Sequence, residues 1–122
     1  MAFKDLVEKF TKPQDERDRE QLDEYCHKLG TTRLDEVSPR TQIKVAGEVG
    51  LVRIVPRAGA PSLEAVLNDG RGSITAVFFG RRHIAGISSG RRMVLQGVAA
   101  ERGGRHYLYN PQYRLLPGGD PT

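Results

Sequence analysis

Cysteine is nearly absent from this 122-residue chain, where Cys26 stands alone. A single thiol excludes an internal disulfide and argues against a zinc site built from cysteines. Its neighbour His27 diverges from it on a helix, and no further ligands stand at zinc spacing. The pair therefore reads as a partly packed thiol beside a surface histidine. Long apolar runs are missing as well. No stretch approaches the roughly 20 residues needed to cross a bilayer. The start, MAFKDLVEKF, carries charges where a signal peptide needs an apolar core. A cytoplasmic protein with no membrane partner is expected. Catalytic groups are sparse. His27, His83 and His106 lie far apart in sequence, and the acids beyond residue 40 are only Glu48, Glu64, Asp69, Glu101 and Asp120, with no pair placed for acid–base work. Without a nucleophile elbow or a metal-ligand cluster, no catalytic residue, no metal and no cofactor is expected.

Lysine is scarce where it would be most informative. Residues 1–40 hold eight basic and ten acidic side chains, whereas residues 41–122 hold eleven basic and five acidic; Lys44 is the sole lysine among those eleven, and the rest are arginine. Arginine forms bidentate pairs with phosphate and stacks on flat rings. A basic half with this bias fits an anionic polymer as partner. It equally fits the arginine-rich codon usage of a high-GC genome, and composition alone leaves both open. The length suits one domain with a short appendage, and a composition 38% hydrophobic and 28% charged is globular but polar.

What is present divides near residue 40. Phe3, Leu6, Val7 and Phe10 follow the spacing of an amphipathic helix that Pro13 interrupts. A second helix is expected over DERDREQLDEYCHKLG, with Leu22, Tyr25, Cys26 and Leu29 on one stripe and Gly30 as its stop. The mixed charges from Asp15 to Glu20 read as a solvated face. TTRLDEVSPR, residues 31–40, reads as a linker. From Thr41 the apolar period becomes two. TQIKVAGEVGLVRIVPR is a long strand whose Gly47 and Gly50 suggest a bulge or sharp coil. SLEAVLN and SITAVFFG form the second and third strands. RRHIAGISSG has room for one helical turn, RRMVLQGVAAE is the fourth strand and RHYLYNPQYRLL the fifth. The DGRG turn joins two strands, so it reads as a hairpin and not as a phosphate cradle, which needs a strand-to-helix junction. The expected organisation is a helical extension and linker over 1–40, a mainly β domain over 41–116 and a disordered tail over 117–122. Five strands with a coiled first strand and an insert between the third and fourth match the five-stranded OB-fold barrel. An SH3-like barrel is the competitor; its strands are usually shorter and it lacks that insert.

VAGEV, LNDGRGSITAVFFG, GRRMVLQGVA and YNPQYRLL, in this order, resemble bacterial OB domains of the anticodon-binding type, above all the wedge domain of RecG-type branch-migration helicases. The resemblance spans about residues 41–116. It departs at Asn110 and Gln112, where that family often has histidine and glutamate, and there is no G-x-x-x-x-G-K-[ST] loop for a motor. It therefore implies the barrel and a nucleic-acid role, but not strand unwinding.

Alternation through the third strand puts Ile74, Ala76 and Phe78 on one face and Thr75, Val77 and Phe79 on the other; Leu63, Ala65 and Leu67 make the inward set of the second strand. Phe79 on the outer face is placed to stack a base, or else it packs under the N-terminal helices. OB barrels rim their groove with the first and fourth loops, which places Arg53, Arg57, Arg102 and Arg105 for phosphates, joined by Arg81 and Arg82 after the third strand and by Arg92 opening the fourth. The alternative is scattered solubilising charge. Tyr107 shares a face with Tyr109 and is either a second stacking platform or core packing, while Tyr113 is expected to close the barrel as its family counterpart does. The expected function is non-catalytic, sequence-tolerant nucleic-acid binding, to single-stranded or branched DNA first and RNA second. The rival is a protein-interaction module that uses the same face, or the N-terminal helices to pair with a partner or a second copy.

Overall fold

The structure, a computed structural model, describes residues 16–117; the helix expected around Phe3 to Phe10 and the end of the tail fall outside them. A helix, α1 (Glu16–His27), opens the described chain, and a single 3-10 turn follows at Leu34–Glu36. Six strands complete it: β1 (Gln42–Val55), β2 (Ser62–Asn68), β3 (Ser73–Phe79), β4 (Arg92–Arg102), β5 (Arg105–Tyr109) and β6 (Gln112–Leu115). Hydrogen bonding runs β1-β2-β3-β5-β4-β6, and β1 also pairs with β4, so five strands close a ring with β6 added along β4. All pairs are antiparallel except β3–β5, where Thr75, Ala76 and Val77 face Tyr107, Leu108 and Tyr109.

Strand β1 serves two neighbours. Gln42–Glu48 pair with β4, and Glu48–Val55 pair with β2. The register slips between Val49 and Leu51. An extra residue flips the side-chain phase, so the inward positions change from odd (Ile43, Val45, Val49) to even (Val52) across Gly50. The bulge expected from the glycines is thus the hinge of the bent strand. Leu63, Ala65 and Leu67 of β2, Ile74, Ala76 and Phe78 of β3, Met93, Leu95 and Ala99 of β4 and Leu108 of β5 fill the ring, as alternation foretold for β2 and β3.

Three expectations change. The RRHIAGISSG insert forms turns, not a helical turn: Gly86 and Gly90 both take positive φ, a region that glycine enters without penalty and an α-helix excludes. These turns lower Ile84 and Ile87 into the core. The fifth strand is two strands. Asn110 at φ 47 and Pro111, which lacks an N–H, break it, and β6 crosses to Met93–Gln96 while β5 pairs with the far end of β4. Tyr113 consequently lies at a rim, 42% exposed, touching Phe78 edge-on at 5.7 Å.

The third change concerns residues 31–40, which carry an anchor where a linker was expected. Leu34 is 2% exposed and joins the core, and Arg33 beside it is buried. The DGRG hairpin holds them. Asp69 Oδ2 accepts the Leu34 N–H at 2.8 Å, and its Oδ1 accepts the N–H groups of Arg71 and Gly72 at 2.9 and 3.0 Å. Arg33 is ion-paired with Asp23 of α1 and lies 3.8 Å from Asp69, while Arg71 reaches back to Asp23 at 3.1 Å. The helix thus docks on the hairpin tip. Its apolar stripe (Leu22, Tyr25, Cys26) rests on Ala46, Val94 and Leu116. Burial pushes the Cys26 thiol up to about 12, which keeps it protonated and unreactive. Arg92, salt-bridged to Glu48 at 3.1 Å, lies over the Tyr25 ring at 4.4 Å.

Gly70 sits inside this joint at φ 90, and a Cβ there would stand 2.7 Å from the Arg19 carbonyl oxygen. Gly59 has nearly the same φ, 91, but open space around it. Gly70→Ala is expected to destabilise by about 2–4 kcal/mol, backbone strain plus the clash, and Gly59→Ala by strain alone, about 1–2 kcal/mol. Urea melts of both variants measure the difference; equal losses would show that α1 yields freely at this contact.

Candidate nucleic-acid interface

The outer face of β3 and β5 carries an aromatic column. Parallel pairing puts Tyr107 and Tyr109 beside Thr75 and Val77, and Phe79 one step further along β3. The Tyr107 and Tyr109 rings stack at 6.0 Å and 7°, and Tyr109 stacks on Phe79 at 5.7 Å and 7°. Beyond Phe79 the Arg57 guanidinium lies 5.3 Å from the ring centroid. At the other end Arg105 precedes Tyr107 by two residues on β5, across from Arg102. The stripe therefore runs from one arginine through three parallel rings to another. Its Phe79 end is pinned by backbone. Asn110 donates its N–H to Val77 O at 2.7 Å, and its side-chain oxygen accepts the Phe79 N–H at 2.9 Å.

A buried carboxylate sets the charge at the Phe79 end. Glu64, 4% exposed, lies between Arg53 and Val77 across the strands. It binds Arg53 at 3.0 Å and Arg57 at 3.3 Å, and Arg57 also donates to the Ser62 hydroxyl at 2.6 Å. One buried acid thus aims two half-exposed arginines, which leaves the trio one net positive charge and holds Arg57 over Phe79. Each parallel ring contact contributes about 0.5–1.5 kcal/mol beyond burial, and the guanidinium a further ~0.5–1 kcal/mol at such an exposed site.

The residues singled out from sequence fall into three groups. Phe79, Arg53 and Arg57 converge at one end of the column, Tyr107 forms the other end with Arg105 and Arg102 near it in the strands, and Arg81 and Arg82 lie in the exposed segment just after Phe79. Thr75 and Val77 lie on the expected face but are buried, 4% and 0% exposed, because Glu64 and the tyrosines flank and overhang them. They are the floor of the site, not a contact surface. Arg92 is elsewhere, committed to Glu48 and Tyr25 against α1. Sequence reasoning underused three residues. Tyr109 was legible as sharing a face with Tyr107. Glu64 gave a signal only as an acid on an outer strand face opposite arginines. Asn110 gave none as a clamp for Phe79.

Among the described residues, α1 packs over β1 and β4 and leaves Phe79 43% exposed. Also among them, no group of three or more His, Cys, Asp or Glu side chains could hold a metal ion, and no helix is long and apolar enough to cross a membrane.

No family model matches the chain, and no curated protein matches it. A solved structure does: RecG bound to a three-way DNA junction superposes with a TM-score of 0.61 at 17% identity, over 72% of this chain and 13% of that one. The chain therefore spans only a small part of that protein's length, and at this identity the likeness is one of fold.

Proposed function

We propose that this chain is a non-catalytic nucleic-acid-binding module of the OB type, which holds single-stranded or branched DNA across the β3–β5 face with little regard to sequence. The observation that carries the reading is the column Tyr107–Tyr109–Phe79, half-open to solvent, with Arg57 over the Phe79 ring and Arg105 two residues before Tyr107 at the other end. Flat rings accept any base, because every base has a π-face, and arginines beside them follow the phosphates. The closed order β1-β2-β3-β5-β4-β1 with its single parallel pair supports an OB barrel, whose ligand face includes β3. The fold shared with RecG, itself bound to a DNA junction in that structure, supports DNA over RNA as the ligand. The cytoplasm is the proposed compartment.

The test is a titration of a labelled single strand of about 20 nucleotides, longer than the ~4–16 that one such barrel spans. Three to five phosphates neutralised by the stripe arginines predict a fall in affinity of about 20- to 100-fold between roughly 50 and 200 mM salt. Absence of binding at the lowest salt would reject the reading and leave a protein partner for this face.

A further inference from the structure

We infer that the cavity beside Tyr109 receives one unstacked nucleobase of the bound strand, with Arg40 at its mouth; this rests on the nucleic-acid reading above and adds a subsite to it. The cavity, about 740 Å³, is lined by Pro39 and Arg40 on one side, by Val98, Ala100 and Glu101 of β4, and by Tyr109. It adjoins the column at its middle ring. That volume lies within the range of small-molecule sites and suits a nucleotide.

Its chemistry favours a base over a phosphate. Pro39, Val98, Ala100 and the tyrosine ring offer apolar walls, and Val98 is 58% exposed, a large open apolar side chain in a strand that elsewhere buries its own. Arg40 supplies the polar contact: its guanidinium donates to the ring nitrogens and carbonyl oxygens of a base edge, while the apolar walls offer nothing to a phosphate.

The mouth is held in place at a conformational cost. Arg40 takes φ 64, one of two described non-glycine residues with positive φ; the other is Asn110, which clamps the neighbouring Phe79. Backbone contacts impose this shape. Arg40 N–H donates to Ala99 O at 2.7 Å, Ala99 N–H donates to Thr41 O at 2.9 Å, and the Thr41 hydroxyl donates to Ser38 O at 2.6 Å. Strain held this way in a residue whose guanidinium makes no ion pair among the described residues marks a position kept for contact.

The test is amide NMR on the full chain with two single strands of about 20 nucleotides, one with ordinary bases and one wholly abasic of equal charge, together with an Arg40→Gly variant. Ordinary strand is expected to shift the amides of Arg40 and residues 98–101 along with those of Phe79 and Tyr109, and the abasic strand to leave Arg40 and 98–101 unmoved. Glycine adopts positive φ freely, so Arg40→Gly is expected to melt no lower than the parent while binding the ordinary strand about fivefold more weakly or worse. If Phe79 and Tyr109 shift but 98–101 do not, if both strands shift 98–101 alike, or if Arg40→Gly binds as the parent does, the base pocket is wrong and the column stands. If no amide moves with either strand, the nucleic-acid reading itself fails, and the pocket with it.

Discussion

Asp69→Ala is expected to cost about 3–5 kcal/mol, enough to threaten a domain whose total stability is of the order of 5–15 kcal/mol. The carboxylate is 1% exposed and accepts three backbone N–H groups, from Leu34, Arg71 and Gly72, at 2.8 to 3.0 Å. Alanine orphans all three donors, each a loss of about 1–3 kcal/mol where water cannot replace the acceptor. It also removes one of the two acids beside the buried Arg33. Arg33 keeps its pair with Asp23 and its bond to the Asp23 carbonyl at 2.9 Å, which is why the effect stays below a simple sum. A fall in Tm of about 15–25 °C follows for a domain of this size. Asp69→Asn keeps one side-chain oxygen for the turn and is expected to lose less than half as much. Thermal and urea unfolding measure both. A loss under about 1 kcal/mol for Asp69→Ala would mean that the extension is not anchored through this carboxylate.

That anchor explains what the sequence displayed and what it hid. Strands and core follow from a local rule, alternation, and so Phe78 inward and Phe79 outward could be read from neighbours alone. Even the bulge at Gly50 had a local trace, the shift of apolar residues from Ile43, Val45 and Val49 to Val52. Arg33 and Leu34 had none. They form one buried step in a polar stretch, and their partner Asp69 is more than thirty residues away. An acid in a tight turn is expected to bond its own backbone, as Asp69 does with Arg71 and Gly72; its second oxygen is free to take a distant donor, and nothing local specifies which. The candidate site divides in the same way. Tyr107 and Tyr109 share a face by alternation, but their meeting with Phe79 depends on a parallel pairing that no turn connects. The ion pairs of Glu64 with Arg53 and Arg57 likewise needed the β1–β2 register and the loop beyond it.

The column also sets the second large effect. Phe79→Ala is expected to weaken binding of a single strand by about 1–3 kcal/mol, roughly 5- to 150-fold, the range for loss of one stacked base. Folding should suffer little. Phe79 is 43% exposed, and its neighbours on the inner side, Ala76 and Phe78, keep their burial. What is lost in the free protein is one ring contact with Tyr109 and the Arg57 contact, about 1–2 kcal/mol together. The free protein already occupies one face of Phe79 with Tyr109 and covers it from another side with Arg57, so a bound base takes the place of existing contacts instead of filling an empty slot. This makes Tyr109 the companion variant. If bases stack on the column as a unit, Tyr109→Ala and Phe79→Ala will be non-additive, with the double variant less impaired than the product of the two losses. Phe79→Leu separates area from stacking, since leucine restores apolar cover but no ring. Affinities measured at one fixed salt concentration for the parent, the singles and the double, with urea melts alongside, decide the matter. Parent-like binding by Phe79→Ala would remove stacking at this ring from the mechanism and leave the arginines to hold the strand alone, whereas a loss shared by Phe79→Ala and Phe79→Leu assigns the contact to the aromatic face.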